Sequence, residues 1–157
     1  MQTQGQRYRF MSDNSEMISL YSKRILSYAA NIPLTDPLSD FDGEATRRSP
    51  LCGSNLRVWV KMHGDTIVDF GQDVKACALG QSSASIFAGV VVGLTTSQVT
   101  KGRDQMFEML TANGPIPDAP FAEMEVLLPA REYRNRHASI MLCFDATLDA
   151  IAAAKAA

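Results

Sequence analysis

Cys52 and Cys77 each sit among small residues, in Ser49-Pro50-Leu51-Cys52-Gly53-Ser54 and in Ala76-Cys77-Ala78-Leu79-Gly80-Gln81-Ser82-Ser83-Ala84-Ser85. A thiol in such a setting can be approached by a soft metal or can carry an extra sulfur as a persulfide. Both chemistries need an accessible thiolate. His137, far downstream, offers an imidazole nitrogen of the kind that completes thiolate metal sites. The third cysteine, Cys143, stands between Leu142 and Phe144. On a helix it lies about 9 Å along the axis and about 120° around from His137, which marks it as a small buried packing residue. His63 falls at a hairpin turn and is expected to be solvated. Arg131, Arg134 and Arg136 read as a solvated face that could dock an acidic partner.

The elements that must position these groups follow from periodicity. Asp13-Asn14-Ser15-Glu16 has the spacing of a helix N-terminal capping box, and Ile18, Tyr21, Ile25, Tyr28 and Ile32 recur at helical spacing until Pro33. Residues 33–50, with three prolines, are expected to be a loop. Leu56, Val58, Val60 and Met62 alternate with polar or large residues as in a half-buried strand, Gly64-Asp65 makes a turn, and Thr66 to Phe70 forms the antiparallel partner. A third short strand, Asp73 to Ala76, delivers Cys77 to a helix beginning near Ser82, whose N-terminal dipole suits a negative sulfur. Helices are expected over 96–111, over 121–128 and from near His137, where Met141, Phe144, Leu148 and Ile151 form an apolar stripe. The resulting class is α+β, a three-stranded antiparallel sheet packed against helices. In such a meander strands one and three run the same way, so Cys52 and Cys77 start at opposite ends, and only loop excursions could bring them together.

Composition narrows the function. A chain of 157 residues, 46% apolar, fits one domain, expected over 13–157, with residues 1–12 a disordered extension. A net charge of −2, with no basic run longer than two residues, argues against a nucleic-acid surface. The longest apolar run, 86–94, is too short to span a bilayer, and the N-terminal residues hold no signal-like apolar core. An odd count of three cysteines points away from a secreted disulfide framework and towards a reducing cytoplasm.

Four segments, in this order, carry a resemblance. They are Tyr21-Ser22-Lys23-Arg24-Ile25-Leu26, Leu51-Cys52-Gly53, Ala76-Cys77-Ala78 with Ser82-Ser83-Ala84-Ser85, and Arg136-His137-Ala138-Ser139. Over roughly residues 17–151 the chain resembles the NifU-like (IscU- and SufU-type) scaffold proteins of iron–sulfur cluster assembly. The long stretch between Cys77 and His137 is closer to the SufU-type branch. The resemblance implies a non-enzymatic cytoplasmic scaffold that binds iron and sulfide or persulfide through Cys52, Cys77 and His137. It would take sulfur from a cysteine desulfurase and pass a transient iron–sulfur cluster to apo-proteins. The alternative it implies is a zinc-dependent sulfurtransferase of the SufU type; a third is a ligand-poor binding module. Two departures stand out. Ser54 replaces the family's aspartate after Cys-Gly, at a position expected to face solvent. His137 is either the family's histidine, with Ala138 replacing the third cysteine, or a direct substitute for that cysteine.

Overall fold

The computed structural model describes residues 21–51 and 53–157. The capping box at 13–16, Ile18, the extension and Cys52 lie outside the described residues. Helix α1 spans Lys23–Ala30, capped by the Ser22 hydroxyl, which accepts from the Ile25 amide at 3.3 Å. It ends before Ile32, because the residue ahead of Pro33 is sterically disfavoured in the helical region.

Strand β1, Gly43–Arg48, lies inside the stretch expected to be a loop. Its sequence, Gly-Glu-Ala-Thr-Arg-Arg, has no large apolar residue in alternation, because what it presents inward is the Gly43 backbone and the small Ala45. A Cβ on Gly43 would stand 2.0 Å from the carbonyl oxygen of Ala150 and 2.7 Å from the Ala154 amide nitrogen, so the last helix packs directly on this strand. Strand β2 covers Asn55–His63 and β3 covers Thr66–Lys75, in the antiparallel order β1-β2-β3. The two strands expected after Gly64 are therefore one. Gly71-Gln72 marks a close approach: a Cβ on Gly71 would meet the Asp36 carbonyl at 2.4 Å, and the Gln72 amide donates to Leu34 O at 2.9 Å. The loop after α1 crosses the sheet there.

That single long strand changes where the flanking segments lie. Asn55 pairs with Lys75, so the residues just before β2 and just after β3 are neighbours at one end of a hairpin. No loop excursion is needed to bring the two segments together.

Helix α2, Ala78–Ala88, begins directly after Cys77, and its serines face inward as ties between helices. Ser82 donates to Ile25 O of α1 at 2.7 Å, and Ser85 to Asn31 O at 3.3 Å. Ser83 donates at 2.7 Å to Ile140 O of the last helix. Each buried hydroxyl thus finds an acceptor, while the small side chains let the helices approach. Helix α3 spans Thr96–Thr111, as its periodicity predicts, with Thr95 and Gln98 forming a reciprocal capping box. A 3-10 segment, Ala122–Glu132, leads into α4, Arg134–Ala156. Tyr28 and Arg24 hold the 3-10 segment to α1 through Glu123, and the Tyr28 hydrogen bond, then Arg24, pull that carboxyl below its ordinary range.

Phe87 sits at the centre of the core, with ring centroids of Phe144, Phe121 and Phe70 at 5.0, 5.7 and 6.0 Å. Among the described residues α4 is the one helix long and apolar enough to cross a membrane by length and composition. Here it is a core helix, packed on β1, β2, α2 and α3. Because β1 and α4 touch through backbone, Gly43→Ala should lower stability by at least about 1–3 kcal/mol. The expected readout is a reduced urea midpoint at unchanged slope; an unchanged midpoint would mean that the strand and helix separate freely.

Candidate functional site

The turn between β1 and β2 is closed by its own backbone: Ser49 N donates to Ser54 O at 2.7 Å, and Gly53 N to Ser49 O at 3.1 Å. Gly53 takes φ +65°, a left-handed conformation that glycine adopts without strain. Pro50, Leu51 and Gly53 are exposed. Ser54, expected to face solvent, is instead 3% exposed, because the Ser139 hydroxyl of α4 donates to its Oγ at 3.0 Å.

Across the hairpin, Cys77 forms the N-cap of α2 and is half-buried with a free thiol. Its Sγ lies 3.6 Å from Ser139 Oγ. Ser139, 1% exposed, therefore bridges the segment before β2 and the thiol after β3. The bridge is possible because position 80 is glycine. A Cβ there would stand 2.4 Å from Ser139 Oγ and 3.2 Å from Ser139 O. Among the described residues, one thiol and two hydroxyls thus form a hydrogen-bonded row beside the turn whose sequence includes Cys52. Among the described residues no group of three His, Cys, Asp or Glu side chains is placed to hold a metal ion.

His137 faces elsewhere. Two residues along a helix separate side chains by about 200°, so the rotation that turns Ser139 to Cys77 turns His137 away. Its Nε2 lies 2.9 Å from Ala130 O and 3.1 Å from Arg131 O. Carbonyls only accept, so Nε2 carries a proton there. The ring lines a groove of about 870 Å³ with Arg103, Phe107, Arg131 and Met141. Arg131, read from sequence as part of a solvated face, is instead a structural tie: its Nε donates to Met109 O at 2.8 Å and its Nη2 to Gly114 O at 3.0 Å. His63 is exposed at the β2–β3 hairpin.

Cys143 is a core residue, 1% exposed, with its sulfur 3.3 Å from Ser83 Oγ. Burial pushes its thiol up to about 12. The residues that reading by type overlooked are Ser139 and Gly80. A signal for the first was present: Ser139, Cys143, Ala146 and Ala150 recur at i, i+4, i+7 and i+11, one buried stripe of α4. Gly80 carried no such signal, since only the approach of α4 explains it.

No protein-family profile and no curated protein matches the chain. Solved structures do. The N-terminal NifU-like protein from Brucella abortus, described as nitrogen-fixing, is 42% identical over 90% of this chain and 98% of its own, with a TM-score of 0.87. Two others share the fold at lower identity. One, from the thermophile Fervidobacterium islandicum AW-1, is designated an iron–sulfur cluster assembly scaffold protein for the SUF system. It is 16% identical over 85% of this chain and 98% of its own, with a TM-score of 0.77. The other, a hypothetical protein, is 20% identical over 86% and 98%, with a TM-score of 0.73.

The contrast between the two described thiols gives a direct check. A neutral-pH alkylating reagent should label the Cys77 peptide in native protein and leave Cys143 unmodified until denaturant is added, since a buried neutral thiol is inert. Labelling of Cys143 in native protein at a rate like that of Cys77 would contradict the packing described.

Proposed function

The chain belongs to the NifU-like (N-terminal) family, and on that premise we propose that it is a scaffold on which iron–sulfur clusters are assembled for transfer to apo-proteins. The observation that carries this reading is the half-exposed Cys77, set at a helix N-terminus beside the Ser49–Ser54 turn, in a chain 42% identical to a NifU-like domain. Cys52 and Cys77 are the sulfur ligands in this proposal, and iron and sulfide are the cargo. The domain comprises residues 13–157, with 1–12 as an extension, and works in the cytoplasm.

A cysteine desulfurase supplies the sulfur. The Cys77 thiolate attacks the terminal sulfur of the desulfurase's cysteine persulfide. The S–S bond breaks, the enzyme's thiolate leaves with the electron pair, and Cys77 holds the persulfide. A helix N-terminus and a tight hairpin turn hold the sulfur in a fixed place without enclosing it, as transfer to a partner requires. For His137 to act as third ligand through Nε2, its ring would have to give up its place between the Ala130 and Arg131 carbonyls.

Anaerobic protein supplied with ferrous iron, cysteine and a desulfurase should develop a cluster absorption spectrum. Cys77→Ala and Cys52→Ala should each reduce the loaded cluster by about tenfold or more, since each removes a sulfur ligand. His137→Ala should load as wild type does. Full loading of Cys77→Ala would overturn the assignment, and loss of loading in His137→Ala would restore the histidine to the site.

A further inference from the structure

The groove of about 870 Å³ that His137 lines runs between α3, the end of the 3-10 segment and α4. Its floor is apolar, with Leu110 and Met141 buried, whereas Phe107 on its wall is 44% exposed. That ring is held in place. The Arg103 guanidinium lies 5.0 Å from its centroid and is itself fixed by Asp145 at 3.1 Å. Phe107 therefore offers a prepared apolar surface to a second side chain, at little cost in ordering.

The charges around this surface do not balance. Arg103 and Asp145 neutralise one another. Arg131 and Arg134 form no ion pair among the described residues, and Glu132 is the one remaining acid of the lining, so an excess of one positive charge is left. Arg131 is half-buried and rigidly aimed. The Met109 and Gly114 carbonyls accept from its Nε and Nη2, and the Nη1 protons have no acceptor among the described residues. A cation partly withdrawn from water and held only by neutral carbonyls is where an arriving carboxylate gains most.

We infer that this groove docks a short extended segment of a partner protein. One carboxylate side chain of the segment meets Arg131 and Arg134, and a neighbouring aromatic or large aliphatic side chain lies against Phe107. The dimensions agree. From Arg134 to Asp145 the groove follows α4 for about 16 Å, a length spanned by about five extended residues. A single excess charge suits one carboxylate; a run of acids would be opposed by Glu132, and a basic segment by the arginines. Neither Cys77 nor Ser139 lines the groove. Docking and cluster loading are therefore measured separately, and failure of one leaves the other standing.

Phage displaying random heptapeptides would be selected on the immobilised full-length protein. The enriched peptide would then be synthesised and titrated into isotope-labelled protein, with amide chemical shifts as the readout. The expected consensus pairs one Asp or Glu with an aromatic or large aliphatic residue, and its binding shifts the signals of Phe107, Leu110 and Met141. Phe107→Ala and Arg134→Ala, both exposed positions, should each raise the Kd about tenfold. Replacing the acid of the peptide by its amide should weaken binding to wild-type protein by about the same factor, a readout that needs no variant to fold. Enrichment of no consensus, or of a basic or uncharged one, would overturn the proposal. So would shifts confined to another surface, or unchanged affinity in either variant or for the amide peptide. Acetate alone shifting the same signals at the same concentration would reveal a simple anion subsite and would equally overturn docking of a segment.

Discussion

Helix α4 lies against its neighbours through backbone at two places, and the rest of the structure depends on that contact. At one end Gly43 of β1 lets the strand meet the Ala150 carbonyl and the Ala154 amide; at the other Gly80 of α2 lets Ser139 into the space a side chain would fill. Between them runs the small-residue stripe Ser139, Cys143, Ala146 and Ala150, about 16 Å long. Interiors are packed to crystalline density, so a helix seated this closely has little freedom to slide or rotate. Its rotation decides which residue of Arg136-His137-Ala138-Ser139 faces the thiol. That residue is Ser139, and His137 is carried round to the groove beside Arg131.

The β2–β3 register supplies the other half of the arrangement. Pairing Asn55 with Lys75 places the β1–β2 turn and the start of α2 at the same end of one hairpin. The site is therefore local to a hairpin and one helix, with α4 as its wall. A thiol at a helix N-terminus backed by two hydroxyls differs chemically from a closed four-ligand metal site. Ser139 can hydrogen-bond the sulfur while Cys77 stays half-exposed, which suits a protein whose proposed cargo must arrive and depart.

Much of this was legible in the sequence, and the exceptions share a cause. The alternation of Leu56, Val58, Val60 and Met62 located β2, and the 96–111 periodicity located α3, because their side chains do the packing. β1 escaped because it packs through Gly43, leaving no apolar pattern. The single strand β3 was split in two because Gly71, which admits the Asp36 carbonyl, looks locally like a turn. The thiol at the start of a helix was readable from small residues around Cys77. Its hydroxyl partner was legible only as part of the buried stripe of α4; that this stripe meets α2 at the thiol is set by Gly80, a contact between residues far apart in the chain.

Cluster transfer tests the central claim most directly. Protein loaded anaerobically would be mixed with an apo-ferredoxin in the presence of an iron chelator, and the ferredoxin's circular dichroism followed with time. A scaffold predicts that holo-ferredoxin forms at a rate dependent on the loaded protein's concentration, with the chelator taking up little iron. Iron captured by the chelator with no holo-ferredoxin formed would contradict it.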